Sequence, residues 1–468
     1  MKFVKNLVPL ATLILFLFSC RKESFTSSAD AKLQTSVDTL HFDTVFTTAG
    51  SVSQYLKIIN NNNKGIRLSS VRLGGGAASP FKINVDGVPG PQVGDVEVLA
   101  SDSVYVRVTI SINPNALNLA FIVRDSIEIN YNGNRQFVQL DAFGQNAHFF
   151  RNRKITGSEA WNNDLPYVIL GRLTVDTTAT LTINKGCKIY MHADAPFIIN
   201  GSLQVNGERY DSTKVLFTGD RLDEPYKNYP ASYPGLIFTG SSKNNTINYA
   251  IIKNSYQGIA VIDPSASGTK LTLNETIIDN AYTNGLIGIN TSVNARNVLI
   301  SNCGQNLALG GGGTYDFKHC TVASYSNSFV QHKEPVFILT NYTVQGNTIV
   351  TAGLNASFTN CIFFGEQNGF VNNEVAIDIK GSQPPNINFN KVLWRMQAPP
   401  SATGITVTTP VNQLPLFDSI NTANRFFNFR LKDNSPAKNT GINSGVTIDL
   451  DGNPRPVGLP DLGSYEKQ

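Results

Sequence analysis

The chain has 468 residues, with 38 Lys and Arg against 34 Asp and Glu, for a formal net charge of +4. That length exceeds one ordinary core and implies two domains or a long solenoid. Charged residues make up 15% and hydrophobic residues 41%, a balance that excludes intrinsic disorder and, with no basic stripe, gives no reason to expect a nucleic-acid partner.

The first residues read as a targeting segment. Lys2 and Lys5 precede an apolar stretch over 7–18 that is too short to span a membrane as a stable helix. It ends in Leu17-Phe18-Ser19-Cys20, which resembles the lipobox of bacterial lipoproteins. The resemblance implies cleavage before Cys20, acylation of that residue, and a membrane partnership through the lipid anchor. Residues 1–20 are then the signal peptide and 21–36 a Ser/Thr/Ala-rich flexible tether. The expected location is the cell envelope, as an outer-membrane lipoprotein.

Residues 37–147 alternate apolar and polar side chains with period two. Phe81, Ile83 and Val85 interleave with Lys82 and Asn84; Val104, Val106 and Val108 interleave with Tyr105 and Arg107. Asn132-Gly133 marks a hairpin. About seven such strands predict an antiparallel sandwich. The stretches Leu56-Lys57-Ile58-Ile59-Asn60, Pro80-Phe81-Lys82-Ile83 and Asp102-Ser103-Val104-Tyr105-Val106 resemble the abnormal-spindle-type and sperm-protein-type immunoglobulin-like domains, which implies a spacer without catalytic residues.

Residues 148–430 read as one domain, within which the stretch from Asn245 to Gly369 carries an internal repeat of about 22 residues or a little more. Each unit is a short apolar run, a small polar residue, a bend and a second apolar run. Examples are Ala250-Ile251-Ile252-Lys253-Asn254 before Gly258, Thr276-Ile277-Ile278-Asp279-Asn280 before Gly285, and Val298-Leu299-Ile300-Ser301-Asn302 before Asn306. Runs this short cannot be helices, and one coil cannot bury its own apolar face. Successive coils must therefore stack at about 4.8 Å, which predicts a parallel β-helix. The region before Ile237 reads as shielding for the open end of the coil. Asn254, Asn280 and Asn302 are expected to form a ladder inside the bends. Cys320 and Cys361 share one repeat position and read as small buried side chains, with no zinc-ligand spacing among the five cysteines and five histidines.

Residues 431–468 hold Ser435-Pro436-Ala437, Asp449-Leu450-Asp451-Gly452-Asn453-Pro454-Arg455 and Asp461-Leu462-Gly463-Ser464-Tyr465-Glu466. They resemble the closing segment of secreted bacterial right-handed β-helix proteins, which implies packing over the last coils. The Asp449 stretch lacks the Glu that a calcium loop of the EF-hand kind places at position twelve, where Pro460 stands. It is a turn. The fold class is therefore all-β: an N-terminal immunoglobulin-like antiparallel sandwich followed by a right-handed parallel β-helix.

Catalytic groups are harder to find. No paired Asp of the kind used in glycoside hydrolysis is evident. Glu275, Arg296, Lys318, His319 and Lys333 are the nearest charged candidates in the repeats, and no two are read at matching positions. Catalytic residues stay unassigned, and no cofactor or metal is expected. Tyr226, Tyr229 and Tyr233 crowd one loop, where they either stack on sugar rings or pack over the first coils. Asp-Ser and Asp-Thr triplets place hydroxyls at Thr39, Thr44, Ser103, Ser126, Thr177, Ser212 and Ser419. These resemble the O-glycosylation sequon of exported Bacteroidetes proteins, although such pairs also start strands. The expected function is non-enzymatic: binding of an extended polysaccharide or surface glycan, or adhesion. The alternative is a polysaccharide lyase or glycoside hydrolase on the same scaffold.

Overall fold

The computed structural model describes residues 24–46, 53–112, 121–266 and 268–468. Cys20 and the signal segment lie outside the described residues. The chain divides into two units, Met1–Asn146 and Ala147–Gln468.

The first unit is the expected two-sheet sandwich. One sheet runs Gln34–Thr35, Gln54–Asn60, Asp102–Ile110, Phe81–Val85 and Val88–Gly90; the other runs Thr39–Phe46, Asn134–Gln145, Phe121–Tyr131, Ile66–Leu73 and Gln92–Val93. The period-two pattern decides the faces: Leu56, Ile58, Val104, Val106 and Val108 are buried between the sheets, while Tyr105 and Arg107 face out. One pairing departs from the antiparallel expectation, since Thr39–Phe46 lies parallel to Asn134–Gln145. The packed domain also begins before residue 37. Leu33 is buried and its N–H donates to the Tyr131 hydroxyl at 3.0 Å, and Thr26 N–H donates to the Gly65 carbonyl at 2.9 Å. Residues 24–36 are therefore held on the sandwich rather than free as a tether.

The second unit is a parallel β-helix with three strands per coil. We name its faces sheets I, II and III. Sheet I stacks Lys188–Met191, Val215–Gly219, Ala250–Lys253, Ile277–Asp279, Leu299–Ser301, Thr321–Ser324, Ile362–Gly365 and Leu393–Trp394. Sheet II includes Phe197–Ile199, Leu236–Phe238, Ile259–Ile262, Phe337–Thr340 and Val375–Asp378. Sheet III includes Thr180–Asn184, Ser202–Asn206, Asn245–Asn248, Leu271–Asn274, Leu354–Thr359 and Asn386–Asn390. The long strands Asn284–Arg296 and Gln305–Lys318 bend from sheet II into sheet III.

Coil length explains the repeat. Asp279 and Ser301, one above the other, are 22 residues apart, whereas His319 and Asn360 on successive coils are 41 apart. The extra chain forms the loop 325–336 and the hairpin of Tyr342–Gln345 with Thr348–Thr351. The entry region, read as strand and turn pieces of the same domain that shield the open end, forms coils in register, with Leu181, Ile183, Leu203 and Val205 pointing inward. The first of these is closed by Trp161 stacked on Tyr167, with ring centroids 4.3 Å apart. Later coils are filled by a stack in which Phe358 lies between Phe317 and Phe389 at 5.5 and 5.0 Å. Each such side chain contributes on the order of 1.5–3 kcal/mol by leaving water.

Polar turns fix the corners. Between sheets III and I, Glu275, Asn297, His319 and Asn360 stack at one turn position, all with φ between 45° and 56°. Between sheets I and II, Asn254, Asn280 and Asn302 do the same at 65°, 56° and 53°, a conformation Asn tolerates better than most residues. Asn280 donates to Asn254 Oδ1 at 2.8 Å, one step of the expected ladder, but Asn302 donates to Asp279 Oδ1 at 3.3 Å instead, so the ladder does not run on to the third coil. The same amides also reach outward, Asn254 to the Lys227 carbonyl and Asn280 to the Asn228 carbonyl.

The C-terminal segment packs along the side of the coils. Sheet I carries apolar residues on its outer face as well, and Leu299, Ala323, Ile362 and Leu393 are covered there by Phe417, Leu431, Ala437, Leu450 and Leu462. Polar contacts bind the strap to the III–I corner: His319 donates through Nδ1 to the Asp461 carbonyl and accepts at Nε2 from the Ser444 hydroxyl, and Asn360 donates to the Ile442 carbonyl. The Asp449 carboxylate is filled by backbone N–H groups of Asp451, Asn453 and Glu466, which makes it the core of a turn.

Candidate functional site

Every turn from sheet I to sheet II lies on one edge of the β-helix, and the coil register lines their residues up along it. Tyr256 and Tyr282 each stand two residues beyond the turn asparagines Asn254 and Asn280. The Tyr282 N–H bonds the Ser255 carbonyl and the Thr283 N–H bonds the Tyr256 carbonyl, so the two tyrosines occupy successive rungs. Their ring centroids are 5.8 Å apart with 31° between planes, and they are 50% and 52% exposed. Two large rings kept in water at matching positions expose area that folding would otherwise bury, and such rings suit the apolar face of a sugar. On the next coil the position is Gly304, where a Cβ would strike the Tyr282 carbonyl at 2.4 Å. The pair therefore ends there.

Sheet II continues this surface. Its outward positions form the ladder Ile198, Ile237, Ala260, Ile287, Ala308 and Ile338, each the register partner of the next. The stripe is uncharged and largely half-buried. It contrasts with sheet I, whose outer apolar face the C-terminal strap covers over its later coils. Sheet III presents Thr246, Thr272, Asn294, Ser357 and Asn388 outward, a polar face with Asp316 among them.

The tyrosine-rich loop lies on the same edge, and the structure separates its three candidates. Tyr226 is 41% exposed, with the Arg221 guanidinium 3.8 Å from its ring centroid. Tyr229 is half-buried between Tyr226 at 5.3 Å and Phe329 at 4.6 Å. Tyr233 is 1% exposed, bridges to Ser255 and belongs to the core of the coil. It presents no ring face, which removes it as a sugar platform. The loop is pinned by the Asn254 and Asn280 amides and by Arg425, which donates to the Asn228 carbonyl and lies over Phe329. Packing thus accounts for Tyr229 and Tyr233, and only Tyr226 is open.

The charged candidates do occupy matching positions, contrary to the sequence reading: Arg296 is the register partner of Lys318, and Glu275 and His319 share the corner position that follows. They do not make an open acid pair. Glu275 is 2% exposed, accepts from Arg296 at 3.2 Å and Asn297 at 3.0 Å, and burial pushes its carboxyl pKa up. His319 is sealed beneath the strap, and burial pushes its imidazole pKa down to about 2. Lys318 pairs with Asp316 at 3.3 Å. Lys333 is exposed, its ammonium 5.8 Å from the Phe370 ring centroid. Of the candidate O-glycosylation hydroxyls, Thr177 and Ser212 are on exposed residues, whereas Thr39, Thr44, Ser103, Ser126 and Ser419 are half-buried. Cys187, Cys303, Cys320 and Cys361 are buried free thiols.

No family model and no curated protein matches this chain. Among solved structures it is similar to a family 123 glycoside hydrolase from Clostridium perfringens, described for glycolipid glycan hydrolysis, at 12% identity over 26% of each chain with a TM-score of 0.19. This chain thus spans about a quarter of that protein's length. It is also similar to the catalytic unit of a thermostable GH87 alpha-1,3-glucanase from Streptomyces thermodiastaticus, at 11% identity over 76% of this chain and 89% of that one, again with a TM-score of 0.19. Both likenesses are distant.

Proposed function

We propose that the protein is a carbohydrate-binding component of the cell envelope, which holds an extended uncharged glycan along the edge between sheets I and II. The observation that carries the reading is the exposed Tyr256–Tyr282 pair on successive coils. Its rings offer consecutive platforms beside an outer stripe, Ala260, Ile287 and Ala308, that bears no charge. A linear polymer suits such a site because neighbouring sugars meet equivalent positions on neighbouring coils. Cys20 would carry the lipid that keeps this surface at the membrane. Catalysis is not part of the reading, since Glu275 and His319 are enclosed by their own partners.

The test is a panel of neutral and acidic polysaccharides, with retention and newly released oligosaccharides measured on the full chain and on its Tyr256→Ala/Tyr282→Ala variant. Retention of neutral polymers without cleavage, lost in the double variant, is the expected result. Equal retention by the variant overturns the assignment of the edge. Release of shortened or unsaturated products overturns the non-enzymatic reading.

A further inference from the structure

Towards the later coils the same edge ends in two long turns, 325–336 and 366–374, and between them lies a cleft of about 500 Å³. Ser326, Asn327, Gln331, His332, Asn368 and Phe370 line it, and no Asp, Glu, Lys or Arg does. His332 is the unusual member. Its side chain is 1% exposed, and its Nε2 lies 3.1 Å from Glu374 Oε1, a carboxylate with no exposure at all. Glu374 is fully committed: Arg395 donates to Oε1 and the Val336 N–H donates to Oε2 at 3.2 Å. A carboxylate paired with a guanidinium is an acceptor only, so the proton in the His332–Glu374 bond belongs to Nε2. In the neutral ring Nδ1 is then a bare lone pair, and it has no hydrogen-bond partner among the described residues. The backbone on either side is tied down as well, by Ser326 Oγ accepting from the His332 N–H at 3.0 Å and Asn368 donating to the His332 carbonyl at 2.7 Å. The ring is therefore fixed with one acceptor left unused in the cleft.

At the mouth stands Phe370, 68% exposed. We propose that this cleft is a second saccharide site, in which one sugar residue lies on the Phe370 ring and donates a hydroxyl to His332 Nδ1. The ligand class follows from the lining: an acceptor without a protein donor calls for an O–H, and an exposed ring calls for an apolar face, which together describe a sugar; the Lys333 ammonium, 5.8 Å from the Phe370 ring centroid, borders the site. The proposal deepens the function given above and rests on it for the class of ligand. The site itself is separate from the Tyr256–Tyr282 pair.

The test uses the full chain labelled with ¹⁵N at its histidine rings, the His332 signals being assigned from the spectrum of His332→Gln. Glucose, galactose, mannose and N-acetylglucosamine, with their short oligosaccharides, are added at millimolar concentration. The Nδ1 resonance of His332 should move with at least one sugar while Nε2, held by Glu374, stays in place. Phe370→Ala changes an exposed side chain and leaves the network intact, so it should fold and should weaken that response by roughly tenfold. The Tyr256→Ala/Tyr282→Ala chain should keep the response. An unmoved Nδ1 with every sugar, or an undiminished response in Phe370→Ala, overturns the site. If Nδ1 stays still while the tyrosine pair proves essential for polysaccharide retention, the cleft fails and the edge stands. If Nδ1 responds and the tyrosines prove to have no role, the cleft stands and the edge fails.

Discussion

Arg455 Nη1 donates to Asn297 Oδ1 at 2.9 Å, joining residues 158 positions apart. The same guanidinium donates through Nε to Glu466 at 2.9 Å and through Nη2 to the Gly463 carbonyl at 3.1 Å, and both Arg455 and Glu466 side chains are fully buried. The strap is thus bolted to the stacked corner of a central coil. Removing the cation leaves a buried carboxylate without its partner, a change that typically costs roughly 3–5 kcal/mol. Arg455→Ala should lower the stability of the β-helix unit by about that amount in urea unfolding. Arg455→Lys should recover only part of the loss, because one ammonium cannot reach three acceptors set in a fork. An unchanged midpoint for Arg455→Ala would show that the strap adds little.

His319, two coils from Glu275 in the same corner stack, makes stability depend on pH. Burial, reinforced by the nearby Arg455 and Lys318 charges, holds its pKa down to about 2 in the folded chain, against 6.5 unperturbed. Below pH 6.5 the unfolded chain therefore takes up a proton that the folded chain refuses, and stability falls as pH drops from there toward 2. The buried Glu275, Asp449 and Asp461 have raised pKa values and act in the opposite sense, gaining as pH falls. The His319 part is isolated by difference. His319→Asn continues the Asn297 and Asn360 stack, and the gap in unfolding midpoint between pH 7 and pH 5 should shrink in that variant. An identical pH dependence in the two proteins would refute the assignment.

The β-helix was legible because its signals are local. Short apolar runs, a 22-residue step and asparagines at the bends all follow from one coil lying on the next. The sandwich was legible for the same reason, in Val104, Val106 and Val108. What escaped is set by neighbours distant in sequence. Tyr226, Tyr229 and Tyr233 stand out as a cluster, yet Tyr233 is drawn into the core by its rung against Ser255. Tyr256 and Tyr282 look ordinary until the coils are aligned, although their equal offset from Asn254 and Asn280 was available as a signal. The His332–Glu374 pair joins two insertions that interrupt the repeat, so no periodic reading could have matched them. Nor does local pattern reveal that the closing segment would lie along sheet I, since that depends on apolar residues on the outer side of Ile362 and Leu393.

Lys270 has no exposed surface, and its ammonium donates to the carbonyls of Thr239, Gly240 and Ile262 at 2.9, 3.1 and 2.7 Å. It is the cation that closes the corner between sheets II and III, where three carbonyls converge. Lys270→Met keeps most of the volume and removes the ammonium from the Gly240 and Ile262 carbonyls, whereas the Thr239 carbonyl keeps the Ser242 N–H at 3.0 Å; each acceptor buried without a donor costs roughly 1–3 kcal/mol. The variant should unfold at a clearly lower urea concentration, with a loss of at least about 2 kcal/mol. A loss below about 1 kcal/mol would mean that water replaces the ammonium at little cost.

Gly365 is the floor beneath the His332–Glu374 pair. A Cβ placed there would fall on His332 Nε2 and Glu374 Oε1, well inside van der Waals contact. Neither group can give way easily, because Arg395 and the Val336 N–H hold the carboxylate and Ser326 and Asn368 hold the histidine backbone. Overpacking of this kind costs typically about 1–3 kcal/mol. Gly365→Ala should therefore lower the thermal midpoint and displace both ring-nitrogen signals of His332 before any sugar is added. Gly353→Ala is the matched control, since nothing lies within 4 Å of a Cβ there. That variant should leave both readouts unchanged. If Gly365→Ala behaved like the control, the tight seating of His332 on Glu374, and with it the fixed acceptor in the cleft, would have to be abandoned.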